Sequence, residues 1–270
     1  MKTPSAPEPK LHVPATKTAV TYKADFGQEI LLRQLNRQFS AHAIGMLGTS
    51  ERGLDTLRVG EIANAVVVLS DIQNFSTIVR ATHHSEIKET LAAYYRLARE
   101  LVWLRGGILD KFIGDAVLAV FEYPFDDPKG PINAIQLGCD LVTLGQSIFG
   151  RLRANMNEDI PTGTRVGISS GQLTVLDIGY SELEISFVGN PINLAARLQK
   201  ASEVDGVLID QRTAAKLPED GGGIDKSRMK AITIPRSEAK GQMADIRGWQ
   251  LPPVMVCEIG EQSQKSSSTN

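Results

Sequence analysis

The sequence predicts an α+β fold, a mixed sheet with helices packed on it. Short β-branched runs such as "AVVVLSD" (65–71) and "GVLID" (206–210) alternate with longer stretches of helical apolar spacing. Glycine or proline marks the changes between them, as at Gly106-Gly107, Pro131 and Pro191. No internal repeat and no linker splits the middle, so one folded domain over about 61–260 is the economical organisation.

The 270 residues suffice to bury a real core, and 42% hydrophobic and 22% charged content are ordinary for a soluble globular chain. A net charge of -2 gives no electrostatic reason to expect nucleic acid or an anionic membrane as partner. No apolar run approaches the roughly 20 residues of a membrane span. The first thirty residues lack the apolar core of a signal peptide. Cys139 and Cys257 form neither a metal spacing nor a disulfide framework, and a reducing cytoplasm is the expected compartment.

Residues 1–24, rich in Pro, Lys and Thr, read as a flexible arm, and 261–270 as a tail of the same kind. Between them and the domain, 25–60 hold a helix and linker; Ile30, Leu31, Leu35, Phe39, Ala43 and Ile44 recur at helical spacing, a stripe for packing or dimer contact. "AVVVLSD" reads as a buried strand. A helix follows over about 85–105, with Ile87, Leu91, Tyr94, Tyr95, Ala98 and Leu101 on one side, stopped by Gly106-Gly107. "GGILDKFIGDAVLAVF" (106–121) reads as a hairpin turning at Gly114-Asp115. Pro131 opens a second long helix. "TRVGISSGQLTVLDIG" and "EISFVG" read as strands around turns, "PINLAARLQKAS" as a third helix, "GVLID" as a strand, "QRTAAKL" as a short helix, and "RGWQLPPVMVCEIG" as one or two closing strands.

Several polar residues stand where chemistry could be done, each with a plainer explanation beside it. Asp71 leaves the end of an apolar strand, where a solvated charge is ordinary and where sites also concentrate. Asp115 sits in a hairpin turn. Together, carboxylates on neighbouring strand ends are what a hard divalent cation takes, with substrate phosphates filling its remaining positions. The crossover between the two strands holds a long helix, which makes their adjacency plausible. "IQNFS" after Asp71 would turn backbone N–H groups toward a polyphosphate, although it has no glycine. Asn193 and Arg197, four apart, share one helix face; a surface Arg is one reading, a guanidinium fork on phosphate oxygens the other. Arg165 opens a strand and offers a second phosphate contact. Lys111 lies on a solvated hairpin face or serves as a donor to the edge of a base.

These residues resemble one family. Asp71-Ile72-x-x-Phe75-Ser76, then Gly107-x-x-x-Lys111-x-x-Gly114-Asp115-x-x-x-Ala119-x-Phe121, then Gly167-Ile168-x-x-Gly171, then Gly189-x-x-Ile192-Asn193-x-Ala195-Ala196-Arg197-Leu198 is similar to the class III nucleotide cyclase catalytic domain. The likeness covers about residues 62–212. It implies a ferredoxin-like βαββαβ core with extra strands, acting as a head-to-tail homodimer with active sites in the dimer cleft. It implies two divalent cations, Mn²⁺ or Mg²⁺, on Asp71, the carbonyl of Ile72 and Asp115, with the turn through Phe75 and Ser76 and with Arg165 on the β- and γ-phosphates. The partner subunit would supply Lys111 and Ser186 to the base, and Asn193 and Arg197 to the transition state. One chain carries both half-sets, so a symmetric dimer would hold two complete sites.

The resemblance thus implies conversion of a nucleoside triphosphate to a 3′,5′-cyclic nucleotide and pyrophosphate. Ser186 stands where adenylate-type members usually carry Asp or Thr, and Leu176 replaces an inner glycine of the family, next to Asp177. With only a helix and an arm ahead of the domain, the chain looks most like the pyrimidine cyclases of the Pycsar antiphage systems. Those make cyclic UMP or cyclic CMP for a separate effector. An adenylate cyclase making cAMP is the alternative, and a degenerate nucleotide-binding regulator a further one. A diguanylate cyclase is disfavoured, because Ile113-Gly114-Asp115-Ala116 stands where that enzyme's glycine-glycine-acid-acid turn belongs.

Overall fold

A computed structural model describes residues 35, 37–154, 162–179, 184–236 and 244–259, apart from 254 and 257. The N-terminal arm, the C-terminal tail and the first part of the N-terminal stripe, with Ile30 and Leu31, lie outside the described residues. In chain order the elements are α1 (Ala41–Thr49), β1 (Ile62–Ile72), α2 (Phe75–Ala81), α3 (His84–Leu104), β2 (Ile108–Ile113), β3 (Ala116–Phe121), α4 (Gly130–Ala154), β4 (Thr164–Asp177), β5 (Ile185–Val188), α5 (Asn190–Ala201), β6 (Gly206–Asp210), α6 (Gln211–Ala215), β7 (Lys230–Ile234) and β8 (Ile246–Leu251).

One sheet runs β2-β3-β1-β4-β6-β8-β7, with β5 paired to the far end of β4. Its first four strands in that order, with α2 and α3 before β2 and α4 before β4, make the expected ferredoxin-like βαββαβ core. β1 lies antiparallel between β3 and β4, which places the end of β1 next to the β2–β3 hairpin. Period-two alternation sorts the side chains. Val66, Val68, Val117, Ala119, Val166 and Ile168 face a core under α3 and α4, while Ala65, Val67, Leu118, Val120, Leu173 and Val175 face a second core. That second core is closed by Leu35, Phe39 and Leu47 of the N-terminal segment and by Phe187 of β5. The expected packing role of the N-terminal stripe is therefore met by Leu35 and Phe39.

The long helix after β1 forms for the expected reason: Ile87, Tyr94, Ala98 and Val102 are buried along one face. It ends where Gly106 takes a left-handed φ of 74° and Gly107 N–H donates back to the Val102 carbonyl at 2.9 Å, a Schellman closure. Residues 164–177, read from sequence as strands around turns, form one continuous strand instead. Gly167 and Gly171 do not break it, because both lie where other elements cross close overhead: Ala195 O at Gly167 and Pro191 at Gly171. The closing segment supplies one strand, β8; after it the chain turns helical at Pro253, and β7, not foreseen from the sequence, completes the sheet edge.

Gly167 positions the helix that carries Asn193 and Arg197. A Cβ there would lie 2.1 Å from Ala195 O and 2.3 Å from Gln199 N, both backbone atoms of α5. Helix and strand thus meet at a distance only hydrogen permits. Gly167→Ala is expected to cost about 2–4 kcal/mol, the range of overpacked cores that must shift backbone. Urea unfolding measures it; a loss under about 0.5 kcal/mol would show that α5 is free to lift.

Candidate active site

The end of β1 gathers one half of the candidate residues. β1 pairs with β3 from Val66↔Phe121 to Ser70↔Val117, so the Gly114-Asp115 turn overhangs Asp71 and Ile72. Gly114 takes φ 62°, the left-handed region that favours glycine, and Tyr95 of α3 holds the turn by donating its hydroxyl to Gly114 O at 2.6 Å. Asp115 Oδ2 accepts the Ile72 N–H at 2.7 Å. Burial pushes the Asp115 carboxyl up to about 7, and the Asp71 carboxyl beside it pushes the same way, against the Ile72 N–H. Arg165, opposite Asp71 in the β1–β4 ladder, brings Nη2 to 3.8 Å from Asp71 Oδ2. Gln199, buried on α5, donates Nε2 to the same oxygen at 3.5 Å.

Among the described residues no group of three or more His, Cys, Asp or Glu could by itself hold a metal ion. The donor set here is hard and incomplete: two crowded carboxylates, Asp71 and Asp115. That suits a magnesium-type ion, which keeps positions for water and substrate phosphate.

The turn beyond Asp71 is built without glycine because Asn74 adopts φ 59°, a conformation asparagine tolerates. α2 then starts at Phe75. Phe75 contributes its ring to the core, edge-on to Phe149 at 6.0 Å, and Ser76 is exposed. The first-turn backbone N–H groups of a helix lack intrahelical partners, which keeps those of Phe75 and Ser76 as candidates for a phosphate contact.

The second half gathers around β2 and β5. Lys111 Nζ donates to Ser186 Oγ at 2.9 Å. Ser186 is 5% exposed, and Asp110 lies alongside, its Oδ2 3.6 Å from Lys111 Nζ. Asp110 occupies a bulge: the β2–β3 register shifts between Leu109 and Lys111, so alternation does not send Asp110 to the opposite face. Burial pushes the Asp110 carboxyl up to about 6 against the pull of Lys111 and Ser186.

Gln38 stitches the two strands together. Its Nε2 donates to Ile185 O at 2.6 Å and Asp110 O at 3.4 Å, and its Oε1 accepts the Ile185 N–H at 3.2 Å. Its own carbonyl accepts from Leu109 N and Trp103 Nε1. Asn193 and Arg197 share the outer face of α5, Asn193 exposed and Arg197 half-buried, while Ala195, Leu198 and Gln199 face the sheet.

The geometry thus sets out two groups on one chain, a carboxylate end and a lysine–serine pair. A sequence model described as the adenylate and guanylate cyclase catalytic domain matches residues 57–246. The chain belongs to that family. Among curated relatives of this cyclase domain, the terminal-differentiation-specific adenylate cyclase of Dictyostelium discoideum is 25% identical over 201 residues, 72% of this chain and 9% of its own length. Adenylate cyclase 1 of Rhizobium meliloti is 29% identical over 148 residues, 53% of this chain and 21% of its own. The chain therefore spans less than a quarter of either relative. Among solved structures, the adenylyl cyclase CyaB of P. aeruginosa superposes with a TM-score of 0.60 at 24% identity, covering 71% of this chain and 95% of that one. The guanylyl cyclase Cya2 gives 0.60 at 18%, covering 71% and 93%. These likenesses show the cyclase fold. No helix among the described residues is long and apolar enough to cross a membrane.

Sequence reasoning missed Asp110, Gln199 and Gln38. The bulge that turns Asp110 inward is not written in an alternating pattern. Gln199 was masked by its place two residues beyond Arg197, on the opposite side of the helix. Gln38 lies in a stripe read only for its apolar residues.

The carboxylate pair gives a pH signature. Folded Asp115 keeps its proton up to about 7, well above an unfolded aspartate, so between those values the folded state binds more protons. Stability of the metal-free protein is expected to fall as pH rises through that window, with Asp110 adding the same sign. Asp71→Asn should flatten the Asp115 part. Urea midpoints in EDTA at about pH 5.5 and 8 measure it; an unchanged slope in Asp71→Asn would separate the two carboxyls.

Proposed function

We propose that two copies of this chain, head to tail, cyclise a nucleoside triphosphate to a 3′,5′-cyclic nucleotide and pyrophosphate. The observation that carries this reading is the Asp71–Asp115 pair, two crowded carboxylates at one strand end, on a chain whose family makes such cyclic products. Two divalent cations, Mn²⁺ or Mg²⁺, would be held by Asp71, Asp115 and the Ile72 carbonyl. When bound, they neutralise phosphate oxygens and acidify the ribose 3′-hydroxyl. Arg165 and the first-turn N–H groups of Phe75 and Ser76 bind the β- and γ-phosphates of the substrate. From the partner copy, Asn193 orients the ribose for in-line attack on the α-phosphorus, and Arg197 meets the charge that gathers on the α-phosphate.

For the base we propose a pyrimidine, UTP giving cyclic UMP or CTP giving cyclic CMP, made as a second messenger for a separate effector in antiphage defence. Ser186 Oγ accepts from Lys111, so its hydroxyl proton points away from the ammonium and can serve as a donor. Ammonium and hydroxyl then both act as donors, and an edge rich in acceptors, such as O2 and O4 of uracil, suits them. A second reading, ATP giving cAMP, is favoured by the names of the Dictyostelium and Rhizobium relatives. A cytoplasmic setting fits either. Incubation with ATP, GTP, CTP and UTP together, with Mn²⁺, followed by mass analysis is expected to yield cyclic UMP or cyclic CMP as the main product. Cyclic AMP alone would overturn the pyrimidine choice and keep the chemistry.

A further inference from the structure

The lysine–serine pair has a third member that the proposed function does not use. Asp110 is 8% exposed, and neither carboxylate oxygen makes a well-formed hydrogen bond among the described residues, although Lys111 and Ser186 lie close enough to pull on it. Burying an unbonded carboxylate is costly, and its nearest relief is the Lys111 ammonium at 3.6 Å. The cost is fixed into the fold. The bulge between Leu109 and Lys111 turns Asp110 inward, and Gln38 clamps its carbonyl to the backbone of Ile185, next to Ser186. The Lys111 side chain is 42% exposed on a flexible stem, and among the described residues Ser186 Oγ accepts from it and Asp110 lies beside it. A lysine that donates to Ser186 and is drawn toward a buried counter-ion of fixed position has its remaining protons confined to a narrow range of directions.

We propose that Asp110 is a positioning residue for base selection: as the buried counter-ion of Lys111 it aims the ammonium, together with Ser186, at one acceptor on the base edge. This deepens the proposed function and rests on it for the identity of the ligand, a nucleoside triphosphate. Asp110 acts through Lys111 and need not touch the base. Removing its charge frees the ammonium to wander, so the preferred base loses its advantage while contacts to the triphosphate stay.

The test uses the full-length dimer and 3′-deoxynucleoside triphosphates of the four bases with Mn²⁺, which bind but have no 3′-hydroxyl to cyclise. Titration calorimetry gives four dissociation constants each for wild type, Asp110→Asn, Lys111→Ala and the double variant. Asp110→Asn is expected to weaken the preferred base about tenfold, the size of one hydrogen bond to a charged group, and the other three less than twofold. The double variant is expected to be no weaker than Lys111→Ala, since Asp110 acts through that side chain. Asp110→Ser gives the same comparison if the amide is not accommodated. Equal weakening of all four ligands, no change, or additive losses in the double variant would overturn the proposal. Turnover of the ordinary triphosphates is scored separately; a protein that binds selectively but converts none would refute the cyclase reading and leave the Asp110 result to stand on its own.

Discussion

Asp115→Ala is expected to lower cyclisation by about 1,000-fold or more, since losing a cation that stabilises transition-state charge forfeits several kcal/mol and each 1.4 kcal/mol is tenfold. The fold should survive. Asp115 sits in a turn whose left-handed residue is Gly114, and the turn is still held by Tyr95. Its carboxyl is a burden to the metal-free protein, pushed up to about 7 by burial and by Asp71. Removing it should therefore leave thermal stability unchanged or raised in EDTA, while abolishing the stabilisation that Mn²⁺ gives wild type. That combination, stable yet inactive and indifferent to metal, separates a lost ligand from a broken fold. Full turnover by the variant would remove Asp115 from the chemistry.

The second large effect is complementation. Asp71→Ala and Arg197→Ala homodimers should each be inactive by orders of magnitude, because every site in either lacks a member. A verified heterodimer of the two should recover about half of wild-type turnover, since one of its two sites receives an intact Asp71 from one copy and an intact Arg197 from the other. The placement on the chain motivates this. Asp71 and Asp115 make their contacts at the end of β1, whereas Asn193 and Arg197 lie on the outer face of α5, whose inner face carries Gln199 to Asp71. No recovery in the heterodimer would argue for a site contained in one copy.

The core of the fold was legible because period two and period 3.6 are strong signals. β1, α3 and the hairpin follow directly from Val66–Leu69, from the Ile87–Val102 stripe and from Gly114. The long β4 was not, because Gly167 and Gly171 resemble turn residues in one dimension; only the helix lying on them explains them. β7 was missed because its alternation is short and mostly exposed. The same divide runs through the site. Asp71, Asp115, Lys111 and Ser186 carry motif spacing, and the structure brings them together in the two expected pairs. Asp110, Gln38 and Gln199 owe their positions to a bulge, a strand gap and a close helix crossing, which are tertiary features. Phe75 packs its ring edge-on against Phe149, a tertiary contact that the motif spacing does not show.

Phosphorus NMR of the wild-type protein with a nucleoside triphosphate and Mn²⁺ follows the reaction itself. A cyclic phosphodiester and pyrophosphate are expected to appear in equal amounts at the expense of the triphosphate, with both signals absent for Asp115→Ala. Orthophosphate with a diphosphate product, or tight nucleotide binding with no conversion, would contradict cyclisation.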